Sequence, residues 1–400
     1  MHQRILFVDD EPAILALYQA MARPMLTEWQ VDTAESGEKA LARLQEGPYE
    51  VVVSDLRMPG MNGLMLLNEV RRQHPGTIRI LLSGCLEQHT IFQCVGATHQ
   101  VLSKPCSIQN LRATLTRLGE ISRQVTNPQL QNILGSLRQL PTLPAIYFRI
   151  IEELDSPDAS VQRLGAVIAQ DIATTPKLLQ LVNSAFFGAS RPISDPAEAV
   201  QLLGVATVRT LVLFSHVCSI LKPDGTSPIC FERLWQHSLD TGRRARQLLV
   251  EAEADPTMLD DAYSAGLLHD AGKLILAVGQ PAAYREVVTS ARAQHLPLFQ
   301  VERESFGVSH GEIGAYLFGI WGLPTAVVDA VAWHEFPEEA PTQRLSPLTA
   351  VHVANVLDHE EQFEADEEVA PKISRTYLEK LGLEQNRAAW CQIPPGSETA

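Results

Sequence analysis

The stretch VVVSDLRMPGMNG at residues 51–63 places Asp55 at the end of an apolar run and directly before a loop that contains Pro and Gly. Three further apolar runs, at residues 4–8, 78–82 and 98–102, alternate with segments of helical periodicity, and a weaker strand is expected around Val31. Such alternation is typical of a parallel sheet built from βα units. The sequence therefore predicts a five-stranded α/β domain over residues 1–122.

Charged and hydroxyl side chains stand directly after these predicted strands: Asp9 and Asp10, Asp55, Ser83 and Lys104. In a doubly wound parallel sheet, ligands bind at the carboxyl ends of the strands. Clustered carboxylates repel one another, and a cation that prefers oxygen ligands, such as Mg²⁺, relieves that repulsion. We therefore interpret Asp55 as a nucleophile that forms an acyl phosphate. The expected Mg²⁺ ligands are Asp9, Asp10, Asp55 and the backbone carbonyl of Arg57, and the expected contacts of the phosphoryl oxygens are Lys104 and Ser83.

Four motifs carry a resemblance to a known family: FVDDE at residues 7–11, SDLRMPGMNG at 54–63, SG at 83–84 and KP at 104–105. With them, the N-terminal domain resembles the receiver domain of two-component response regulators, which has a flavodoxin-like fold. The resemblance implies that Asp55 accepts a phosphoryl group from a sensor histidine kinase or a phosphotransfer protein. It also implies that the receiver catalyses its own phosphotransfer and dephosphorylation. One position departs from the family, because Val101 stands three residues before Lys104, where receivers often carry an aromatic residue.

The composition restricts the broad class of the protein. With 45% hydrophobic residues and no apolar stretch long enough to cross a bilayer, the chain is expected to be globular, with no membrane insertion. The six cysteines are scattered without a CxxC pair and no signal peptide is recognised, which favours a cytoplasmic location. The net charge of −15 argues against broad nucleic-acid binding.

The remaining residues favour helices. A last receiver helix and a helical connector are expected up to residue 140, with the connector at 123–140, and the LPTLP string at 140–144 opens a second domain. Apolar residues recur every three to four positions at residues 146–154, 161–172, 176–184, 196–203 and 206–221. The sequence therefore predicts an all-α bundle over residues 141–359, followed by an acidic C-terminal extension and tail at 360–400.

Several separated strings in this second domain carry another resemblance: LPTLPAI, LVNSAFFG at 181–188, RPISDPAEAVQLLG at 191–204 and LLHDAGKL at 267–274. They resemble the HDOD domain, a relative of the HD metal phosphohydrolases and of the HD-GYP cyclic di-GMP phosphodiesterases. The resemblance implies an HD-like helical bundle that serves as an output domain. Most HDOD domains lack a complete metal site, so it implies a signalling or interaction module.

A degenerate metal site is the expectation for this copy. Aligned with the HD pattern, the matching positions are His237, His269, Asp270, His310 and His334. Asn355 stands where HD enzymes place a closing aspartate, and Trp333 replaces one histidine of a pair. The loss of an anionic ligand weakens the hold on a second cation, so a vestigial or mononuclear site is expected, and transition-metal binding is left open.

Three functions remain open from the sequence. The favoured one is a response regulator in which phosphorylation at Asp55 controls a non-catalytic HDOD domain that binds a downstream protein, with a homodimer as a further possibility. The second is a metal-dependent phosphodiesterase acting on cyclic di-GMP or another nucleotide. The third is a binding module for a nucleotide second messenger, with Arg243, Arg244 and Arg246 facing the anion.

Overall fold

The structure is a computed structural model that describes residues 3–25, 29–83, 97–104, 111, 114–116, 143–156, 158–170, 175, 178–179, 193–220, 228–341, 343–362, 371–386 and 390. The chain forms two compact units, one made mainly of Met1–Glu152 and the other mainly of Glu153–Phe318 and Leu323–Ala400. The predicted connector at 123–140 lies outside the described residues, as do the LVNSAFFG string and most of the predicted helix at 176–184.

The N-terminal unit contains a five-stranded parallel sheet, as predicted, with the strand order β2-β1-β3-β4-β5. The strands are β1 Gln3–Val8, β2 Trp29–Ala34, β3 Val51–Asp55, β4 Ile78–Ser83 and β5 Gln100–Ser103. The last strand begins two residues later than the apolar run at 98–102 predicts. The order reverses between β1 and β3, so the carboxyl ends of these two strands flank the crevice in which such sheets bind ligands.

Three described helices accompany this sheet: α1 Pro12–Met25, α2 Gly37–Glu46 and α3 Gly63–Gln73. All residues of β3 and β4 are buried, which explains why these strands are mostly apolar and do not alternate between apolar and polar residues. Their side chains join those of α3, such as Leu66 and Leu67, in one hydrophobic cluster. Helix α3 begins very close to Asp55, because a Cβ on Gly63 would lie 2.0 Å from the Asp55 carbonyl oxygen. Only glycine fits there.

A buried polar pair lies between β4 and β5. Arg79 is 1% exposed, and its guanidinium donates to the carbonyl oxygens of Ala97 at 2.8 Å and Thr77 at 2.9 Å. Its backbone N–H donates to Nδ1 of the buried His99 at 3.0 Å. Burial, reinforced by the Arg79 charge, holds the pKa of His99 well below its ordinary value. The His99 ring is therefore neutral in the folded protein.

The chain from residue 143 onward is helical throughout its described part, which confirms the all-α prediction. Its α-helices are α4 Ala145–Asp155, α5 Val161–Ala169, α6 Pro196–Leu203, α7 Val205–Ile220, α8 Phe231–Glu251, α9 Pro256–Leu268, α10 Ala271–Gly279, α11 Pro281–Gln294, α12 Leu298–Phe306, α13 His310–Ile320, α14 Thr325–Trp333, α15 Pro347–Gln362 and α16 Arg375–Leu381. Short 3₁₀ turns follow at Pro337–Glu339 and Glu384–Asn386. Helix α5 ends three residues before the predicted 161–172 segment does.

Close backbone contacts bring the ends of these helices together. A Cβ on Gly272, in the first turn of α10, would lie 1.9 Å from the carbonyl oxygen of His310. The first turns of α10 and α13 can therefore touch only because residue 272 has no side chain. This contact places His310 beside the pair His269 and Asp270, which occupies the junction between α9 and α10.

Candidate functional sites

The N-terminal unit gathers two of the predicted carboxylates around one ammonium group. Asp9, directly after β1, is 1% exposed, and Asp55, the last residue of β3, is 7% exposed. Lys104 Nζ lies 3.1 Å from Asp9 Oδ2 and also forms an ion pair with Asp55 Oδ1. Burial lowers the pKa of Lys104, but its hydrogen bonds to Asp55 and Asp9 outweigh burial and raise that pKa above its ordinary value. Lys104 is therefore charged and lies between the two carboxylates.

The other predicted receiver residues surround this group. The backbone N–H of Arg57 donates to Asp55 Oδ2 at 2.7 Å, which orients the carboxylate. Asp10 lines an open groove together with Arg57 and Asn62. Ser83 ends β4, is 3% exposed, and accepts a hydrogen bond from the backbone N–H of Lys104 at 2.6 Å through its carbonyl oxygen.

These oxygen donors suit a small hard cation such as Mg²⁺, which takes one or two carboxylates and keeps several waters. Within the described part of the chain, no three ligand atoms of Asp9, Asp10 and Asp55 lie within 4.8 Å of one another. The positive charge of Lys104 lies between the carboxylates of Asp9 and Asp55 and partly neutralises them. Val101, at the position that is often aromatic in receivers, pairs with Leu81 of β4 and packs against the hydrophobic core.

The C-terminal unit gathers all five histidine and aspartate residues that the sequence singled out. They form two groups whose ligand atoms lie within 4.8 Å of one another: the His237 trio of His237, His269 and Asp270, and the His310 trio of Asp270, His310 and His334. All five residues are at most 2% exposed. They come from α8, the α9–α10 junction, the start of α13 and the end of α14. Asp270 belongs to both trios, as a bridging carboxylate would.

The four histidines share one orientation. Each places Nδ1 against an oxygen: His237 on Asp358 Oδ2 at 2.5 Å, His269 on the Gly266 carbonyl at 2.7 Å, His310 on Glu302 Oε2 at 2.7 Å and His334 on the Val331 carbonyl at 2.9 Å. Because Nδ1 donates a proton to each oxygen, Nε2 is the atom left to bind a cation. Metal-binding histidines typically show this arrangement, in which a carboxylate or carbonyl fixes the far nitrogen.

The Nε2 atoms point at one another across the site. His237 and His269 approach to 3.2 Å, and His310 and His334 to 3.3 Å. Asp270 Oδ1 accepts no hydrogen bond from a described residue, although His310 Nε2 lies 3.2 Å away. Lone pairs that converge at such distances repel unless a proton or a cation lies between them. The residues present therefore fit a metal ion of the kind that imidazole and carboxylate ligands bind.

Protonation differs between the histidines of each trio. Burial disfavours a charged ring at His310, but the Glu302 carboxylate outweighs it and raises the pKa of His310 to about 10. Burial lowers the pKa of His237, but the hydrogen bond to Asp358 and the negative charges of Asp270 and Asp358 together outweigh burial and raise that pKa above its ordinary value. Burial lowers the pKa of His269 to about 3 and that of His334 well below its ordinary value. Each trio therefore contains one histidine whose pKa is raised and one whose pKa is lowered.

The sequence analysis did not identify the two carboxylates that bind the Nδ1 atoms of His310 and His237, which are those of Glu302 and Asp358. Glu302 is fully buried, accepts from the backbone N–H of His310 at 2.8 Å, and binds the Tyr284 hydroxyl at 2.9 Å. Asp358 follows Asn355 by three residues on α15 and so lies on the same helix face, the one signal that could have found it. Asn355 itself directs its amide oxygen to His237 Nε2 at 3.0 Å.

Two further charged groups adjoin the trios. The Lys273 ammonium is 2.7 Å from Asp270 Oδ2, and this lysine is 6% exposed. Burial raises the pKa of Asp270, but its electrostatic interactions with His269, Lys273 and His310 together outweigh burial and hold that pKa well below its usual range. The Glu335 carboxylate lies 3.8 Å from His334 Nε2, and burial raises its pKa to about 7. A cavity beside the His237 trio is lined by Lys273, Arg233 and Arg292 among others.

The arginines considered for nucleotide binding do not share one exposed face. Arg244 is 4% exposed, whereas Arg243 and Arg246 are partly buried. Arg243 lies 3.8 Å from Asp240 on the same helix.

No single helix of the described residues is long and apolar enough to cross a membrane. The two helices Pro196–Leu203 and Val205–Cys218 together have sufficient length and hydropathy, but the chain bends by 112° between them.

Comparison with known proteins agrees with both resemblances. The family model of the response regulator receiver domain matches residues 5–116, and that of the HDOD domain matches residues 140–337. An HDOD domain protein of unknown function from Geobacter sulfurreducens has a similar solved structure, with 26% identity and a TM-score of 0.53, covering 66% of this chain and 88% of that one.

Two curated relatives match the chain over different lengths. An uncharacterized protein of Treponema pallidum is 28% identical over 257 residues, which are 63% of this chain and 49% of the relative. The transcriptional regulatory protein KdpE of Staphylococcus aureus is 31% identical over 140 residues, which are 34% of this chain and 59% of the relative. The chain thus spans about half the length of these relatives. It combines an N-terminal response regulator receiver domain with a C-terminal HDOD output domain.

Proposed function

We propose that this protein is a cytoplasmic response regulator in which phosphorylation of Asp55 controls a non-catalytic HDOD domain that binds a downstream protein. The observation that carries the proposal is the group formed by Asp9, Asp55 and Lys104 at the carboxyl ends of the sheet. The domains are receiver 1–122, connector 123–140 and HDOD 141–359, followed by the extension 360–400. A sensor histidine kinase or a phosphotransfer protein is the expected donor.

The chemistry assigned to the receiver is a phosphoryl transfer to Asp55. A carboxylate oxygen forms a bond to phosphorus while the bond between phosphorus and the donor histidine nitrogen breaks, and the histidine leaves with the electron pair. The Arg57 N–H holds Asp55 Oδ2, and the Lys104 ammonium, already beside the other oxygen, offers its charge to the phosphoryl group. Mg²⁺, which Asp9, Asp10, Asp55 and the Arg57 carbonyl would hold, supplies further neutralisation when bound.

Phosphorylation acts on the output domain by changing charge at the receiver surface. The test compares the full chain with Asp55→Asn after treatment with acetyl phosphate and Mg²⁺. We expect one phosphoryl group per chain by intact mass, together with altered amide hydrogen exchange in the HDOD domain. Asp55→Asn should lose both effects, and the control Asp158→Asn, an exposed aspartate of the other unit, should keep both. An HDOD exchange pattern that responds equally in Asp55→Asn would refute the proposal.

A second candidate function is a metal-dependent phosphohydrolase in the HDOD domain. It is favoured by the convergence of four histidine Nε2 atoms on Asp270. A bound metal would supply a Lewis acid and an activated water. The test is hydrolysis of cyclic di-GMP and other nucleotides by protein loaded with Mn²⁺, Fe²⁺ or Zn²⁺. Activity that disappears in Asp270→Asn would favour this candidate, and inactivity with every metal would remove it.

A further inference from the structure

The cavity beside the His237 trio is lined by cationic side chains from three helices. Arg233 comes from the first turn of α8, Lys273 from α10 and Arg292 from the last turn of α11. The cavity contains about 550 Å³ of empty space, part of which is open to solvent. A small anion that enters it therefore meets positive charge from all three helices.

The lining residues carry more positive than negative charge. Arg233 and Arg292 are exposed, and within the described part of the chain no carboxylate forms an ion pair with Arg292. The Lys273 ammonium lies 2.7 Å from Asp270, the one carboxylate among the described lining residues. The two arginines are thus in excess over the single carboxylate, although the chain as a whole has a net charge of −15.

The N-terminus of α8 adds to this positive potential. Its N-cap residue, Cys230, lines the cavity and makes no side-chain hydrogen bond that caps the helix. The first turn of a helix carries a partial positive charge and favours anions beside it. The helix terminus and the three cationic side chains therefore favour the same kind of ligand.

Two carboxylates outside the cavity wall oppose this potential. Asp358 lies on the Nδ1 side of His237, and Glu232 lies 3.7 Å from the Cys230 thiol. Neither carboxylate lines the cavity, so each acts on a bound anion at longer range than the lining cations do. Glu232 also offers a test of sign, because removal of its charge should strengthen the binding of an anion.

The chemistry of the wall suits an organic phosphate. A guanidinium group donates two parallel hydrogen bonds to phosphoryl oxygens, which a point charge cannot do. The apolar side chains of Pro228, Ile229 and Leu234 line the same cavity. A few convergent charged groups beside an apolar wall are typical of a site for a small organic ligand.

We propose that this cavity binds the phosphoryl group of a small organic phosphate through Arg233, Arg292 and Lys273, without a metal ion. The inference goes beyond the proposed function, because it gives the HDOD domain a small ligand as a second input. It requires neither phosphorylation of Asp55 nor metal-dependent hydrolysis. The arginines are also different from those that the sequence suggested for a nucleotide, which were Arg243, Arg244 and Arg246.

The experiment is calorimetric titration of the full chain with phenyl phosphate in a buffer that contains EDTA. We expect one binding site per chain, and no binding of phenol, which lacks the phosphoryl group. Arg292→Gln and Arg233→Gln should each weaken the affinity at least about 10-fold, because each removes charged hydrogen bonds. The matched control Arg285→Gln, an exposed arginine two turns earlier on α11, should bind as the wild type does. Thermal unfolding shows that each variant is folded.

Two more variants separate this site from the receiver and test the sign of the charge effect. Lys104→Gln should bind phenyl phosphate normally, because the lysine beside Asp55 belongs to the other unit. Glu232→Gln should bind up to about 5-fold more tightly. The inference is overturned if the wild type does not bind phenyl phosphate without a metal, or if Arg292→Gln and Arg233→Gln keep the wild-type affinity. Weaker binding in Glu232→Gln, or a loss of binding in Lys104→Gln, would overturn it as well.

Discussion

Gly272→Ala tests how the backbone holds together the two groups of ligand atoms, the His237 trio and the His310 trio. The new Cβ would lie 1.9 Å from the carbonyl oxygen and 2.7 Å from the carbonyl carbon of His310, whereas a Cβ essentially never comes within 3.0 Å of such atoms. Both obstructing atoms belong to the backbone, so no side-chain rotation relieves the contact. Helices α10 and α13 must therefore separate by about 1 Å.

The size of the effect follows from that displacement. Overpacking a buried contact costs about 1–3 kcal/mol, and a backbone contact belongs at the upper end. With a urea dependence of about 3 kcal/mol per molar, a loss of about 3 kcal/mol lowers the unfolding midpoint by about 1 M. The same displacement moves His310 away from Asp270, whose facing atoms are 3.2 Å apart, so Zn²⁺ affinity should fall as well.

The assay is urea unfolding of metal-free protein, monitored by amide hydrogen exchange so that the unfolding of each of the two units is measured separately. The control is Gly76→Ala, where a Cβ would meet nothing within 4 Å. Its free energy of unfolding should stay within about 0.5 kcal/mol of the wild-type value or rise slightly. The reasoning is wrong if Gly272→Ala unfolds at the wild-type urea concentration and binds Zn²⁺ with unchanged affinity.

Three further outcomes are expected. The receiver should lose stability as the pH falls below about 6.5, because burial and the Arg79 charge lower the pKa of His99, so that protons bind preferentially to the unfolded chain. The assay measures the urea midpoint of the receiver at a series of pH values. The explanation is contradicted if His99→Gln shows the same dependence of the midpoint on pH as the wild type. Tyr284→Phe should cost about 1–2 kcal/mol in urea unfolding, since it removes the 2.9 Å hydrogen bond to the buried Glu302; a loss near zero would show that Glu302 finds another donor. Asp358→Asn should lower the pKa of His237, because Asp358 raises that pKa in the wild type. NMR titration of metal-free protein measures it, with Asp240→Asn as the control. An equal pKa shift in Asp240→Asn would argue against a specific pairing of His237 with Asp358.

The sheet and the receiver residues could be predicted from the sequence because each signal is local. The apolar runs that become β3 and β4 are buried on both faces, so their composition alone distinguishes them from helices. Asp55 and Lys104 follow strands of one parallel sheet, so the topology places them at one edge. The ion pairs that Lys104 makes with Asp9 and Asp55 are the three-dimensional result.

The HDOD site could be predicted only in part, because its supporting groups are distant in the sequence. Asp358 binds a histidine 121 residues away, and its position three residues after Asn355 is the one local signal of the pairing. Glu302 and Glu335 look like ordinary charged helix or loop residues in the sequence, yet both carboxylates are buried in the fold. Asn355 lies beside His237, but the charge that orients the His237 ring comes from Asp358, one helical turn later.

The position of Lys104 between two carboxylates determines how much charge the receiver has to switch. The carboxylates of Asp9, Asp10 and Asp55 and the ammonium of Lys104 together carry a net formal charge of two negative units, which a single divalent cation cancels. Phosphorylation turns the Asp55 carboxylate into a neutral acyl oxygen and adds a group with about two negative charges, so the gain is only about one. The main change on phosphorylation is then the position of the negative charge and not its size. The charge moves from the Asp55 carboxylate, which is 7% exposed, to phosphoryl oxygens that lie farther out. A partner surface would recognise where the negative charge lies rather than how large it is.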